Sequence, residues 1–116
     1  MPTDADLTSQ KAALRARLAE LDELDRTTGD SRRPVELDQA SVGRLSRIDA
    51  IQMQAMALAA GERRARERRR VLAALDRIEA GDYGYCVRCG EEIATTRLRL
   101  DPTIPLCLPC AQRSEL

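Results

Sequence analysis

Cys86-Val87-Arg88-Cys89 and Cys107-Leu108-Pro109-Cys110 hold every cysteine of this 116-residue chain. Seventeen residues separate the two pairs, and no histidine occurs anywhere. Two C-x-x-C turns supply four thiolates that can close a tetrahedron around one Zn2+ ion. Each turn brings two sulfurs to one point with backbone amides facing them. Gly90, directly after the first pair, suits a turn that needs a residue free of side-chain clash. The expected metal ligands are therefore Cys86, Cys89, Cys107 and Cys110. Four sulfurs fill the coordination sphere and leave no position for a reactive water, so the metal reads as a folding element. Two disulfides are the competing reading. Residues 1–10 carry no apolar signal segment, which points to a cytoplasmic chain whose thiols stay reduced. A redox dithiol would call for a thioredoxin-like strand and helix around one pair, a pattern absent here.

The chain needs such a staple. Its aromatic content is Tyr83 and Tyr85, with no Phe or Trp, and the segment from Gly81 onward is short. A module of that size rarely buries enough apolar surface to offset chain entropy. Zinc binding in small modules contributes about 10–16 kcal/mol. The expected core of the cysteine segment is Tyr83, Tyr85, Ile93, Leu98, Leu100, Ile104, Leu106 and Leu108.

Composition sets the class of the remainder. Charges balance at 19 basic and 19 acidic residues, so a general affinity for nucleic acid is not indicated. A third of the residues are charged and many others are Ala or Leu, as in long helices and coiled coils. No apolar run is long enough to span a membrane. There is no nucleophile elbow and no phosphate-cradling glycine loop, so an enzyme is not expected.

The pattern predicts a mainly α protein: an antiparallel helical hairpin (coiled coil) with a small four-cysteine zinc-finger head. Residues 1–80 would form the arm and neck, with a tip at about 27–40, and residues 81–116 the head. The first helix is expected over about 4–26, capped by Thr3 or Asp4, with Leu7, Leu14, Leu18, Leu21 and Leu24 as its apolar stripe. The second is expected from about Pro34 or Asp38 to Ala80, stopped by Gly81, with Val42, Leu45, Ile48, Ile51 or Gln52, Ala55, Met56 and Ala59 as its stripe. Folding back at the loop would set Leu24 near Val42 and Leu7 near Ala59. At 1.5 Å per residue the helices measure roughly 34 and 65 Å, so residues beyond 60 would lack a first-helix partner. That stretch, G-E-R-R-A-R-E-R-R-R at 61–70, contains six arginines and two glutamates. It reads as a solvated charged neck or as a basic patch for an acidic partner or phosphate. Val71, Leu72, Leu75 and Ile78 then restore an apolar face expected to dock on the head.

The run G-D-Y-G-Y-C-V-R-C-G-E-E-I-A-T-T-R-L-R-L-D-P-T-I-P-L-C-L-P-C, residues 81–110, resembles the head of the DksA/TraR four-cysteine zinc-finger family. Matching positions are Gly84, Cys86, Cys89, Gly90, Ile93, Arg97, Leu98, Pro102, Thr103, Cys107 and Cys110. The resemblance implies a bacterial regulator that binds RNA polymerase, without sequence-specific DNA binding of its own. Its coiled-coil arm would enter the secondary channel, often with guanosine tetraphosphate as co-effector. The family's acidic tip motif, D-x-x-D-x-A, has V-E-L-D-Q-A at 35–40 as its counterpart. Asp38 and Ala40 match, while Val35 replaces the first acid. Asp38 can equally be read as a helix N-cap. Arg63, Arg70 and Arg97 complete the candidate polymerase contacts, and Arg97 has an alternative as an internal bond to a turn carbonyl. Asp101 and Ala111 stand where alarmone-binding members have basic residues, so guanosine tetraphosphate binding is expected to be weak or absent. Two other readings stay open: a nucleic-acid-binding zinc ribbon, and a coiled-coil adapter.

Overall fold

A computed structural model of the chain describes residues 2–28 and 44–114. Four helices are present among them: α1, Asp4–Thr28; α2, Arg44–Ala80; α3, Thr95–Leu100; and α4, Leu108–Ser114. The fold is mainly α, as expected, and among the described residues an isolated antiparallel β-bridge joins Tyr85 to Glu92. Residue contacts divide the chain into two compact units. One comprises Met1–Ala19 with Arg68–Leu116, the other Glu20–Glu67.

Local sequence accounts for the ends of the long helices. Thr3 caps α1: its Oγ1 accepts from the Asp6 amide at 3.1 Å, and its own amide donates to Asp6 Oδ2 at 3.3 Å. This reciprocal pair is a capping box. The Thr3 amide bond, helped by Arg99, holds the Asp6 carboxyl below its ordinary range. α2 stops where Gly81 stands. The Gly81 amide donates to Ile78 O at 3.2 Å and the Asp82 amide to Arg77 O at 2.9 Å, the two bonds of a Schellman ending.

The first unit holds nearly all the buried apolar residues. Leu14 of α1, Val71 and Ala74 of α2, and Tyr83, Ile93 and Leu98 beyond it are all buried. α1 and α2 run antiparallel here, with Lys11 Nζ at 2.7 Å from Glu79 Oε1. That ion pair pulls the Glu79 carboxyl below its usual value. Leu7 shares a small hollow with Pro2, Ile78, Gly81 and Tyr83. The expected register is therefore corrected: Leu7 lies beside Ile78 and not Ala59, about five helical turns further along α2. The expected docking face on α2 is present, with Val71 buried, Leu72, Leu75 and Ile78 half-buried, and Ala74 as an additional buried member.

In the second unit the helices are again antiparallel. Arg64 Nε donates to Asp25 Oδ1 at 2.9 Å and Arg64 Nη2 to Thr28 Oγ1 at 2.9 Å. The arginine-rich stretch thus has the first-helix partner it was expected to lack. Among the described residues of this unit, Leu21 and Gly61 are buried. Of the expected α2 stripe, Ile48, Ile51, Gln52, Ala55 and Met56 are exposed, as are Met53 and Leu58, while Ala59 is half-buried. Among the less exposed positions of α2, Arg47, Ala50, Gln54, Ala57, Gly61 and Arg64 form a 3-4-3-4-3 series of small and polar residues. Leu24 is likewise exposed, while Asp25 takes the half-buried position next to it. The expected tip, about 27–40, lies mostly outside the described residues.

Candidate metal centre

The sulfurs of Cys86, Cys89, Cys107 and Cys110 all lie within 4.8 Å of one another. Cys89 Sγ and Cys107 Sγ are 3.6 Å apart. Zinc–sulfur bonds of about 2.3 Å in a tetrahedron would separate the sulfurs by about 3.8 Å, so the donor set fits a closed Zn2+ site. None of the four is in a disulfide.

Backbone geometry builds the first half of the site. Gly90 takes φ +79° and its amide donates to Cys86 O at 2.9 Å, closing the turn around Cys86 and Cys89. A side chain would strain that left-handed conformation. Gly84 has a second constraint beyond its φ of +96°: an added Cβ would stand 2.8 Å from the Pro2 ring. Bonds from the Cys86 amide to Glu91 O and from the Ile93 amide to Gly84 O, both 2.8 Å, tie the turn to its return strand.

The second pair is held by donors from outside its own loop. The Val87 amide donates to Pro105 O at 2.9 Å and Tyr83 Oη to Pro102 O at 3.0 Å. Burial pushes the Tyr83 phenol up to about 12, which keeps it a donor. Asp101 Oδ1 accepts from the Thr103 amide at 3.0 Å and from Thr103 Oγ1 at 2.7 Å, an Asx turn that shapes the loop before Cys107. Cys107 stands just before α4, and the Ala111 amide donates to its carbonyl at 2.9 Å. Arg88, between the first two cysteines, donates to Ser114 Oγ at 2.9 Å, and Ser114 Oγ donates to Cys110 O at 3.1 Å.

The thiols do not share one ionisation state. Burial disfavours the Cys86 thiolate, yet amides of Cys107, Cys89 and Arg88 outweigh it and bring the thiol down to about 5. At Cys89 the Glu91 amide favours the thiolate, but burial and the other three sulfurs push the thiol up to about 12. Four sulfurs this close cannot all carry charge unaided, and a divalent cation among them removes that repulsion. When bound, zinc supplies a cross-link between the two cysteine turns and no reactive position.

α1 adds a contact that the sequence pattern did not suggest. Gln10, buried, donates through Nε2 to Leu98 O at 3.0 Å. Arg99 Nη2 reaches Asp6 Oδ1 at 3.3 Å. Of the expected core of this segment, Tyr83, Ile93 and Leu98 are buried, and Tyr85, Ile104 and Leu106 are half-buried. Leu100 is 88% exposed and Leu108 53%. The R-L-R-L alternation at 97–100 is wound into α3, where residues two apart point to nearly opposite sides.

The other sequence candidates do not converge on the sulfurs. Asp38 and Ala40 lie outside the described residues. Arg63 and Arg70 are exposed on α2. Arg97 is half-buried, its Nη2 donating to Leu106 O at 3.4 Å, next to Cys107. Asp101 is exposed and Ala111 half-buried. Arg113, which the sequence did not single out, donates through Nη2 to Cys110 Sγ at 3.2 Å. That sulfur bond, with the nearby sulfurs, raises its pKa. No helix among the described residues is long and apolar enough to cross a membrane.

Residues 81–116 match the prokaryotic dksA/traR C4-type zinc finger. Over 60 residues the chain is 42% identical to the RNA polymerase-binding transcription factor DksA of Haemophilus influenzae, covering 47% of this chain and 41% of that protein. Over 42 residues it is 43% identical to the protein of the same name from Escherichia coli, covering 36% of this chain and 28% of that one. The matched stretch thus spans less than half the length of these curated relatives. Among solved structures, the transcription factor DksA2 from Pseudomonas aeruginosa is similar with a TM-score of 0.78 at 27% identity, over 97% of this chain and 85% of that one. The DnaK suppressor protein from Agrobacterium tumefaciens is similar with a TM-score of 0.60 at 28% identity, over 96% of each chain.

Proposed function

We propose, from the match of residues 81–116 to the prokaryotic dksA/traR C4-type zinc finger, that this chain belongs to that family and is a cytoplasmic transcription regulator that binds RNA polymerase. It would do so through the secondary channel with its helical hairpin, and without sequence-specific DNA binding of its own. The observation that carries this reading is the similarity to DksA2 over nearly the whole chain, helices as well as finger. One structural zinc ion, held by Cys86, Cys89, Cys107 and Cys110, would keep residues 81–116 folded as a head. Asp38 and Ala40 would act at the tip, and Arg63 and Arg70 would meet acidic groups on the polymerase. The Arg97 guanidinium is partly engaged with Leu106 O, so its share in binding would be smaller. Guanosine tetraphosphate would bind weakly or not at all: the Asp101 carboxylate, held by Thr103, places negative charge where a polyphosphate would have to approach.

Tagged protein should retain core RNA polymerase from the native cell at low salt, and no retention would overturn the proposal. In transcription with purified polymerase, Asp38→Asn and Ala40→Thr should each lose regulation while still binding. Equal activity of both variants and the parent would remove the tip from the mechanism.

A further inference from the structure

A zinc ion with four thiolates carries two net negative charges, spread over the sulfurs. Hydrogen bonds to a ligating sulfur drain part of that charge and orient the ligand, which slows its release and blunts its nucleophilicity. The four sulfurs here are supplied unequally. Cys86 is buried and faced by backbone amides, whereas Cys110 takes a charged side-chain donor, Arg113 Nη2, at 3.2 Å. Arg113 stands one helical turn after Cys110 on α4 and is exposed. Its neighbour Ser114 donates to Cys110 O and receives Arg88, so the turn carrying the guanidinium is tied back to the first cysteine pair.

We propose that Arg113 is a positioning residue of the metal centre: its guanidinium bond to the Cys110 sulfur governs how fast this chain gives up zinc to a competing ligand. The inference rests on zinc filling the site. The bond is part-buried on an exposed side chain, so salt weakens it more than it weakens the amides around buried Cys86.

The test follows zinc transfer from the purified full-length protein to the chelator 4-(2-pyridylazo)resorcinol, after the metal content of each variant has been measured. Arg113→Gln should transfer zinc about 10-fold faster than the parent, and Arg113→Lys, which keeps the charge without the fork, should fall between them. Raising the salt should speed transfer from the parent and leave Arg113→Gln unchanged. With cobalt in place of zinc, the sulfur-to-metal charge-transfer band should shift in Arg113→Gln. Equal rates and an unshifted band would overturn the inference. Should Arg113→Gln fail to hold metal, the parent's salt dependence decides alone, and a salt-independent rate overturns it. A metal-free parent would overturn the zinc reading itself.

Discussion

The two compact units are built on opposite principles. The unit of Met1–Ala19 and Arg68–Leu116 buries Leu14, Val71, Ala74, Tyr83, Ile93 and Leu98 and holds a four-sulfur cluster. The unit of Glu20–Glu67 buries Leu21 and Gly61 and leaves Ile48, Ile51, Met53, Met56 and Leu58 exposed. Across its helices Arg64 bonds to Asp25 and Thr28. One unit therefore draws on burial and on a sulfur cluster that fits a metal ion. The other draws on helix propensity and partly exposed polar bonds, each of which is weak in water. Where stability is low, segments are free to rearrange against a partner, which suits the proposed role of the helical part.

Substitutions can break this contrast in order of expected effect. Cys110→Ser removes a metal ligand and should abolish zinc binding, a loss on the order of 10 kcal/mol, which would unfold the first unit. Circular dichroism and metal analysis check it. Leu98→Ala should cost about 3 kcal/mol in chemical denaturation, while Leu100→Ala, at the exposed side of the same helix, should stay within about 0.5 kcal/mol. Gln10→Ala leaves the buried Leu98 carbonyl unpaired and should cost about 1–2 kcal/mol, against about 1 kcal/mol or less for Arg64→Ala in the other unit. The smallest effect is on pH. Asp6 and Glu79 both have carboxyls lowered from ordinary values of 3.8 and 4.5. Their stabilisation is present above those values and lost as pH falls through the lowered ones. Asp6→Asn with Glu79→Gln should flatten that acid-side slope, as read by thermal melts of the two proteins across pH 6 to pH 3.

How much of this was legible depended on whether a residue's chemistry or its neighbours decided its place. The cysteines declare their role by type and spacing, and the ends of α1 and α2 follow from Thr3, Asp6 and Gly81, whose preferences are local. The helix register did not follow. It was read by matching apolar stripes, yet α2 turns Ala57, Gly61 and Arg64 inward and leaves its methionines outside. Gln10 and Asp25 were passed over for the same reason: their places on the packed face of α1 show as heptad spacing with Leu14 and Leu21, and their polarity disguised it. Leu100 was expected in the core with Leu98 on its apolar character alone, and α3 sets the two on nearly opposite sides.

Hydrogen exchange on the metal-loaded and chelator-treated protein tests most directly whether four sulfurs and one ion hold the first unit together. Native mass spectrometry should find one zinc per chain, and chelation should erase protection at residues 83–110 and in the first half of α1, with little change at residues 44–67. A chain that carries no zinc, or that keeps its protection at 83–110 after chelation, would contradict the claim.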